Sequence, residues 1–381
     1  MVQLQLHLLA ALLPALALAI PSPVAPRSPA TNLAGAASKD NKRYFGDAYQ
    51  SFYLADPRYG PILDSQFSAY TPENEMKWEV IEPTRGVFNW TGSDLIVAHA
   101  KKTHSIVRGH NFCWDSQTTK RNARSTDNPS PSYVTSITDP TELTQVLEEH
   151  INAVLGRYGN DLYAFDVINE PLNDNGTIKS SVWSNVLGEN YIETATGRNG
   201  ARHMAHVCLD SLSQLNIAHK AAPNVKLYIN DYNIEGVNSK SQALATIAKN
   251  LLQKGVPLHG IGFESHFIGG ELPGDISQSM KQFTDLGLDV AITELDIRVP
   301  VDSSGVANAT VQKMQADNYA TVVQACLDNG NCPGVTVWGF DDGHSWIPGV
   351  FKGQGDANLY DFNYQPKPAY YSTLAALQQG K

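Results

Sequence analysis

Residues Phe165 to Pro171 read "FDVINEP", an apolar run that ends on Asn169 and Glu170 and carries Asp166 within it. A parallel strand covered by helices on both faces is almost continuously apolar, so its polar residues gather where it leaves the core. In α/β folds that exit is where ligands bind.

Seven further β-rich runs surround this one: "YFGDAY" (44–49), "FSAYT" (67–71), "HSIVRGH" (104–110), "VKLYIN" (225–230), "HGIGFESHF" (259–267), "LDVAITELD" (288–296) and "GVTVWGF" (334–340). Helix-like segments lie between them. The clearest spans 139–159, where Leu143, Val146, Leu147, Ile151, Val154 and Leu155 recur at helical spacing. Eight strands alternating with helices predict an α/β fold, a (β/α)₈ TIM barrel occupying residues 43–381 as a single domain. A doubly wound open sheet is the alternative, but no glycine-rich phosphate loop follows the first strand. No sequence repeat is detectable, and no linker-like composition follows residue 43.

The chain has 381 residues, 42% of them hydrophobic, and a formal charge of -10. That balance allows a sizeable core and argues against nucleic acid or an anionic membrane surface as partner, since both select clustered Lys and Arg. Residues 1–19 read as a secretory signal peptide: an apolar stretch without acids, ending on Ala17-Leu18-Ala19. Pro14 interrupts the run and Pro21, Pro23 and Pro26 follow it, which disfavours a membrane anchor. Residues 20–42 are expected to be a leader, and the protein to be secreted and monomeric. Sequons at Asn89, Asn175 and Asn308 agree with secretion. Of four cysteines, Cys326 and Cys332 are close enough to staple a helix end to the next strand, whereas Cys113 and Cys208 read as buried thiols.

On a barrel, polar residues at the strand exits would share one mouth. The second strand runs into Glu73, Asn74 and Lys77, and the third into His110, Trp114 and Gln117. Asn169 and Glu170 end the fourth; Asn230, Asp231 and Tyr232 end the fifth. Glu264 and His266 follow the sixth, Glu294 and Asp296 the seventh, Trp338 the eighth, with Trp346 in the loop beyond. Each alone has an ordinary explanation as a cap, turn residue or core aromatic. Seven exits of one kind point to a site.

The residue types suit glycoside cleavage. One carboxyl can protonate the leaving oxygen while a second attacks the anomeric carbon. Amides, imidazoles and a Lys can grip hydroxyls, and Trp faces can stack on a pyranose ring. A metal site fits worse, because His110 and His266 stand on separate strands without an HxxEH or HExxH pair; no GxSxG elbow supports a serine nucleophile. Neither metal nor organic cofactor is expected.

The motifs "TPENEMKW", "RGHNFCWDSQ", "DVINEP", "YINDYN", "SHF" followed by "ITELDI", and "TVWGF...SWIP...YDFNYQPKPAYY" occur in this order between about residues 43 and 377. This series resembles the signatures of glycoside hydrolase family 10, the retaining endo-β-1,4-xylanases. The resemblance implies Glu170 as acid/base and Glu294 as nucleophile. It implies that Glu73, Asn74, Lys77 and His110 hold the glycone sugars, that Asn169 meets the 2-hydroxyl at the cleavage subsite, and that Trp338 and Trp346 form floor and lid. Trp114, Gln117, Asn230, Tyr232 and Glu264 would complete the substrate-binding set. His266, with Asp296 behind it, would keep Glu294 ionised and aimed. The substrate would be xylan or xylo-oligosaccharides.

The chain departs from the family at several places. Asp115 stands where His is usual, Glu264 where Gln is usual, and Ile347 where Arg is usual. The loop 118–132 is longer than expected and carries Lys120, Arg121 and Arg124, and a second insertion lies around "TATGRNGARHMAHV". These changes fall on the leaving-group side, so a relative that cleaves another plant glycoside, such as the saponin-detoxifying tomatinases, is the alternative enzyme. A non-catalytic carbohydrate-binding barrel is the alternative of another class; such proteins usually lose a catalytic carboxylate, and both are present here.

Overall fold

A computed structural model of the chain describes residues 31–114, 130–188, 191–192 and 214–379. The expected signal peptide, Asp115, Gln117, the charged stretch with Lys120, Arg121 and Arg124, Cys208 and the second insertion lie outside the described residues.

Eight parallel strands close into a barrel: β1 (Tyr44–Tyr49), β2 (Ala69–Pro72), β3 (Ile106–Cys113), β4 (Leu162–Asn169), β5 (Lys226–Asp231), β6 (Gly260–Phe263), β7 (Asp289–Pro300) and β8 (Gly334–Val337). Each pairs with the next in sequence, and β8 pairs with both β7 and β1, so the sheet has no open edge in the ring. The eight β-rich runs are therefore the eight barrel strands.

Two runs differ in detail. "HGIGFESHF" is not one strand: β6 stops at Phe263, Ser265 takes φ 65°, and a short strand, His266–Ile268, then pairs with the far end of β7. β7 is accordingly longer than expected. Its last residues serve this short strand and, on the other side, the antiparallel Gln354–Gly355.

The helix Pro140–Tyr158 starts where Asp139 accepts a hydrogen bond from the Glu142 amide, with Pro140 in the first turn. Its buried face carries all six residues picked out by periodicity, each worth about 1.5 to 3 kcal/mol when fully removed from water.

The expected leader is shorter than 20–42. Leu33–Lys39 is a helix capped by Asn32, whose Oδ1 accepts from the Gly35 amide at 2.7 Å; it packs against the C-terminal helix Pro368–Gln379 and β1, and Leu33, Ala36 and Ala37 are buried. Lys42 is buried and donates to the Asn329 carbonyl at 2.8 Å and the Cys332 carbonyl at 3.1 Å. Composition rich in Pro, Ser and Ala suggested a leader, but one Leu and two Ala on a single helical face suffice to dock against a neighbour. The disulfide Cys326–Cys332 ties the end of helix Ala309–Leu327 to the approach to β8, and Cys113 is a buried free thiol. Among the described residues no helix is long and apolar enough to cross a membrane.

Candidate active site

Asp166, the first polar residue of the opening stretch, turns into the barrel. There it pairs with the buried Arg108 guanidinium, which lies 4.3 Å from the centre of the Tyr228 ring. Asp166 Oδ2 also accepts from His110 Nδ1 at 3.0 Å, and the same Nδ1 stands 3.9 Å from Glu294 Oε1. A polar column thus rises from the core to the mouth and ends beside Glu294.

Glu294 occupies the centre of the mouth, 5% exposed. Asn230 Nδ2 donates to its Oε1 at 2.8 Å, and His266 Nε2 lies 3.2 Å from its Oε2. His266 Nδ1 is 3.0 Å from Asp296 Oδ2, an oxygen that also accepts from Trp346 Nε1 at 2.7 Å. Burial works against charge on His266, but Asp296 and Glu294 outweigh it and hold the imidazolium proton well beyond the usual histidine range. Burial likewise works against charge on Glu294, yet His110, His266 and Lys77 keep its carboxyl below the ordinary glutamate range. Glu294 is therefore an ionised carboxylate, held by two donors.

Asn230 reaches Glu294 because β6 carries a glycine beside it. A Cβ at Gly262 would lie 2.0 Å from Asn230 Oδ1, which instead accepts from Thr293 Oγ1 at 2.7 Å. The freed amide nitrogen also donates to Asn169 Oδ1 at 2.9 Å. Glu264, buried, sits behind this group with Oε1 3.3 Å from Asn230 Nδ2.

Glu170 leaves β4 in the left-handed region at φ 50°, a conformation that costs a non-glycine residue about 1 kcal/mol or more. Its amide donates to the Asn230 carbonyl at 2.8 Å, fixing the turn. Lys179 Nζ donates to Glu170 Oε2 at 2.9 Å and stands 4.6 Å from the centre of the Tyr232 ring. Lys179 escaped sequence reasoning, though a signal existed. The turn "NDNG" folds the chain back after β4, Leu172 bridges Ile178, and the Lys179 amide meets the Pro171 carbonyl at 2.8 Å. Behind it, buried Lys240 pairs with Asp231 at 2.8 Å, whose carboxyl burial pushes up to about 7 against Lys240 and Lys179.

The remaining expected residues line the β2, β3 and β8 side. Lys77 Nζ donates to Asn74 Oδ1 at 2.7 Å and lies 5.0 Å from the Trp114 ring centre. Burial raises Glu73 to about 7, opposed by Lys77 and by a hydrogen bond from Gln50. Trp338 meets His110 edge to face at 5.2 Å. On the opposite flank, a cleft of about 500 Å³ opens between His266, Asn233, Glu235, Glu271 and Arg298.

The model of Glycosyl hydrolase family 10 matches residues 32–208 and 212–376. This chain belongs to family 10. The match begins at the helix that the composition disguised as leader. Across 406 residues the chain is 39% identical to the endo-1,4-beta-xylanase of Naganishia albida, covering 96% of this chain and 93% of that one. It is 39% identical to endo-1,4-beta-xylanase D of Talaromyces funiculosus over 342 residues, 88% of this chain and 75% of the other. The crystal structure of a glycosylated family 10 endo-beta-1,4-xylanase from Gloeophyllum trabeum superposes with TM-score 0.79 at 36% identity, covering 91% of this chain and 99% of that one. Xylanase 10B from Thermotoga petrophila RKU-1 in complex with xylobiose gives 0.81 at 33%, covering 93% and 99%. As a family 10 member the protein is a glycoside hydrolase with the family's barrel.

Proposed function

We propose that this chain is a secreted, monomeric endo-1,4-β-xylanase that cleaves internal β-1,4-xylosidic bonds with retention of configuration. The observation that carries the reading is the Glu294 carboxylate, ionised and aimed by Asn230 and His266 at the barrel mouth to which β4 also delivers Glu170. Glu294 attacks the anomeric carbon; the C1–O bond to the leaving sugar breaks, and Glu170 gives that oxygen its proton. Glu170 then takes a proton from water, whose oxygen attacks C1 and releases Glu294. Asn169 meets the 2-hydroxyl, while Glu73, Asn74, Lys77 and His110 hold the glycone, with Trp114, Tyr232, Trp338 and Trp346 completing the walls.

The relatives' names and the xylobiose complex support xylan as substrate. The apolar start of the chain supports secretion, and Asn89, Asn175 and Asn308 are all exposed, as glycan acceptors must be. The test is digestion of glucuronoxylan, linear xylo-oligosaccharides, cellulose and a steroidal glycoalkaloid, with proton NMR of the first-formed product. Xylan preference with retained configuration is expected. Inverted configuration, or cellulose or the glycoalkaloid as best substrate, overturns the reading.

A further inference from the structure

Glu264 is the third carboxyl of the catalytic cluster, and the mechanism above gives it no part. It follows β6, is 3% exposed, and has a carboxylate oxygen within 4.8 Å of one on Glu294. Two buried carboxylates this close need donors for both.

The donors can be counted. Asn230 Nδ2 carries two protons, directed to Glu294 Oε1 at 2.8 Å and Asn169 Oδ1 at 2.9 Å; Glu264 Oε1, at 3.3 Å, is left the weakest of three claims. His266 Nε2 is 3.2 Å from Glu294 but 3.9 Å from Glu264 Oε2, and Nδ1 is committed to Asp296 at 3.0 Å. The strongest charged influences on Glu264 among the described residues are the carboxyls of Glu294, Glu170 and Asp231 and the His266 imidazolium, and that one cation is already shared by two acids. No full donor remains for an ionised Glu264 among the described residues.

We propose that Glu264 works as a neutral carboxylic acid: a positioning residue that carries its own proton and thereby leaves the Asn230 amide and the His266 proton to the nucleophile. Burial, with Glu294 and Glu170 beside it, pushes its carboxyl in the same direction, well above the ordinary range. A neutral acid also has the shape and polarity of the glutamine usual in the family. Were Glu264 ionised, both donors would face two carboxylates and Glu294 would lose its aim. The role rests on Glu294 as nucleophile, whereas the protonation does not.

The experiment compares the full chain with Glu264→Gln. In the infrared difference spectrum of the free proteins near pH 7, the wild type should show a neutral carboxylic C=O band that the variant lacks; carboxylate bands alone would overturn the proposal whatever the activity. On xylan, the ratio of the two kcat/KM values should stay within about twofold from about pH 4 to about pH 7, since one neutral group replaces another. If Glu264 is instead ionised, its removal lowers the proton affinity of Glu294, and the ratio climbs about fivefold or more toward acid pH, which also overturns the proposal. Failure of both proteins to cleave xylan, with the infrared band present, would refute the xylanase reading while leaving the protonation intact.

Discussion

Asn230 Nδ2 lies 2.8 Å from Glu294 Oε1, across a gap that Gly262 keeps open by having no side chain. One strand thus supplies the donor, the next supplies the space, and the third supplies the proposed nucleophile. A hydrogen bond to a charged group is worth about 1.5 to 3 kcal/mol, so Asn230→Ala should lower kcat about 10- to 100-fold. Gly262→Ala should also lower kcat although it removes no polar group, because its Cβ displaces the Asn230 amide. Steady-state kinetics on a xylo-oligosaccharide, with circular dichroism to verify folding, measures both.

Removing either Glu170 or Glu294 should cost several orders of magnitude in rate. Their roles should then part. Glu170→Ala should still form the glycosyl-enzyme with an activated aryl glycoside and be rescued by azide with retained configuration, whereas Glu294→Ala should form no intermediate. Mass spectrometry of the intact protein after mixing detects the adduct.

As the proposed nucleophile Glu294 must be ionised, and burial, which would raise its pKa, is outweighed by His110, His266 and Lys77. Loss of activity on acidification should therefore begin only below the ordinary glutamate value of about 4.3. His266→Gln removes one of the groups that lowers this pKa, so the acid limb of kcat/KM should move to higher pH. At its optimum the variant should fall about 10- to 100-fold, the expected loss of a charge-assisted hydrogen bond. An acid limb that does not move would show that His266 leaves the Glu294 proton affinity unaffected.

The Cys326–Cys332 disulfide closes a short loop, with a sequence separation of 6, far from the mouth. Replacing both residues by Ser should cost about 2 to 3 kcal/mol in stability while kcat/KM on xylan stays unchanged at moderate temperature. Chemical denaturation and the same kinetic assay test the two halves of the statement.

Leu33, fully buried on a helix packed against the C-terminal helix and β1, belongs to the fold rather than to a leader. Leu33→Ala should lower stability by about 2 to 5 kcal/mol, and a chain starting after residue 42 should unfold at lower temperature than one starting at residue 31. Equal melting temperatures for the two chains would return the segment to a linker.

Strand identity was legible because a buried parallel strand is mostly apolar along its length, and the eight runs follow that pattern with a few buried exceptions such as Asp47, Arg108 and Asp166. The helix 140–158 was legible for the same reason at a different period. The residues of the mouth were legible as types, since polar side chains at strand ends have few other places to go. Their partnerships were not. Asp166 sits three residues before Asn169 in one strand, yet it faces Arg108 and His110 inside the barrel while Asn169 faces Asn230 at the rim. Lys179 became the partner of Glu170 only through a hairpin, and the role of Gly262 depends on a side chain 32 residues away in sequence. Glu170 and Glu294, 124 residues apart, meet one mouth because β4 and β7 are members of a closed ring. Local pattern dictates which segments bury their side chains, since that cost is paid residue by residue. Which donor serves which carboxyl depends on distances of a few ångströms between strands, and only closure of the barrel decided those.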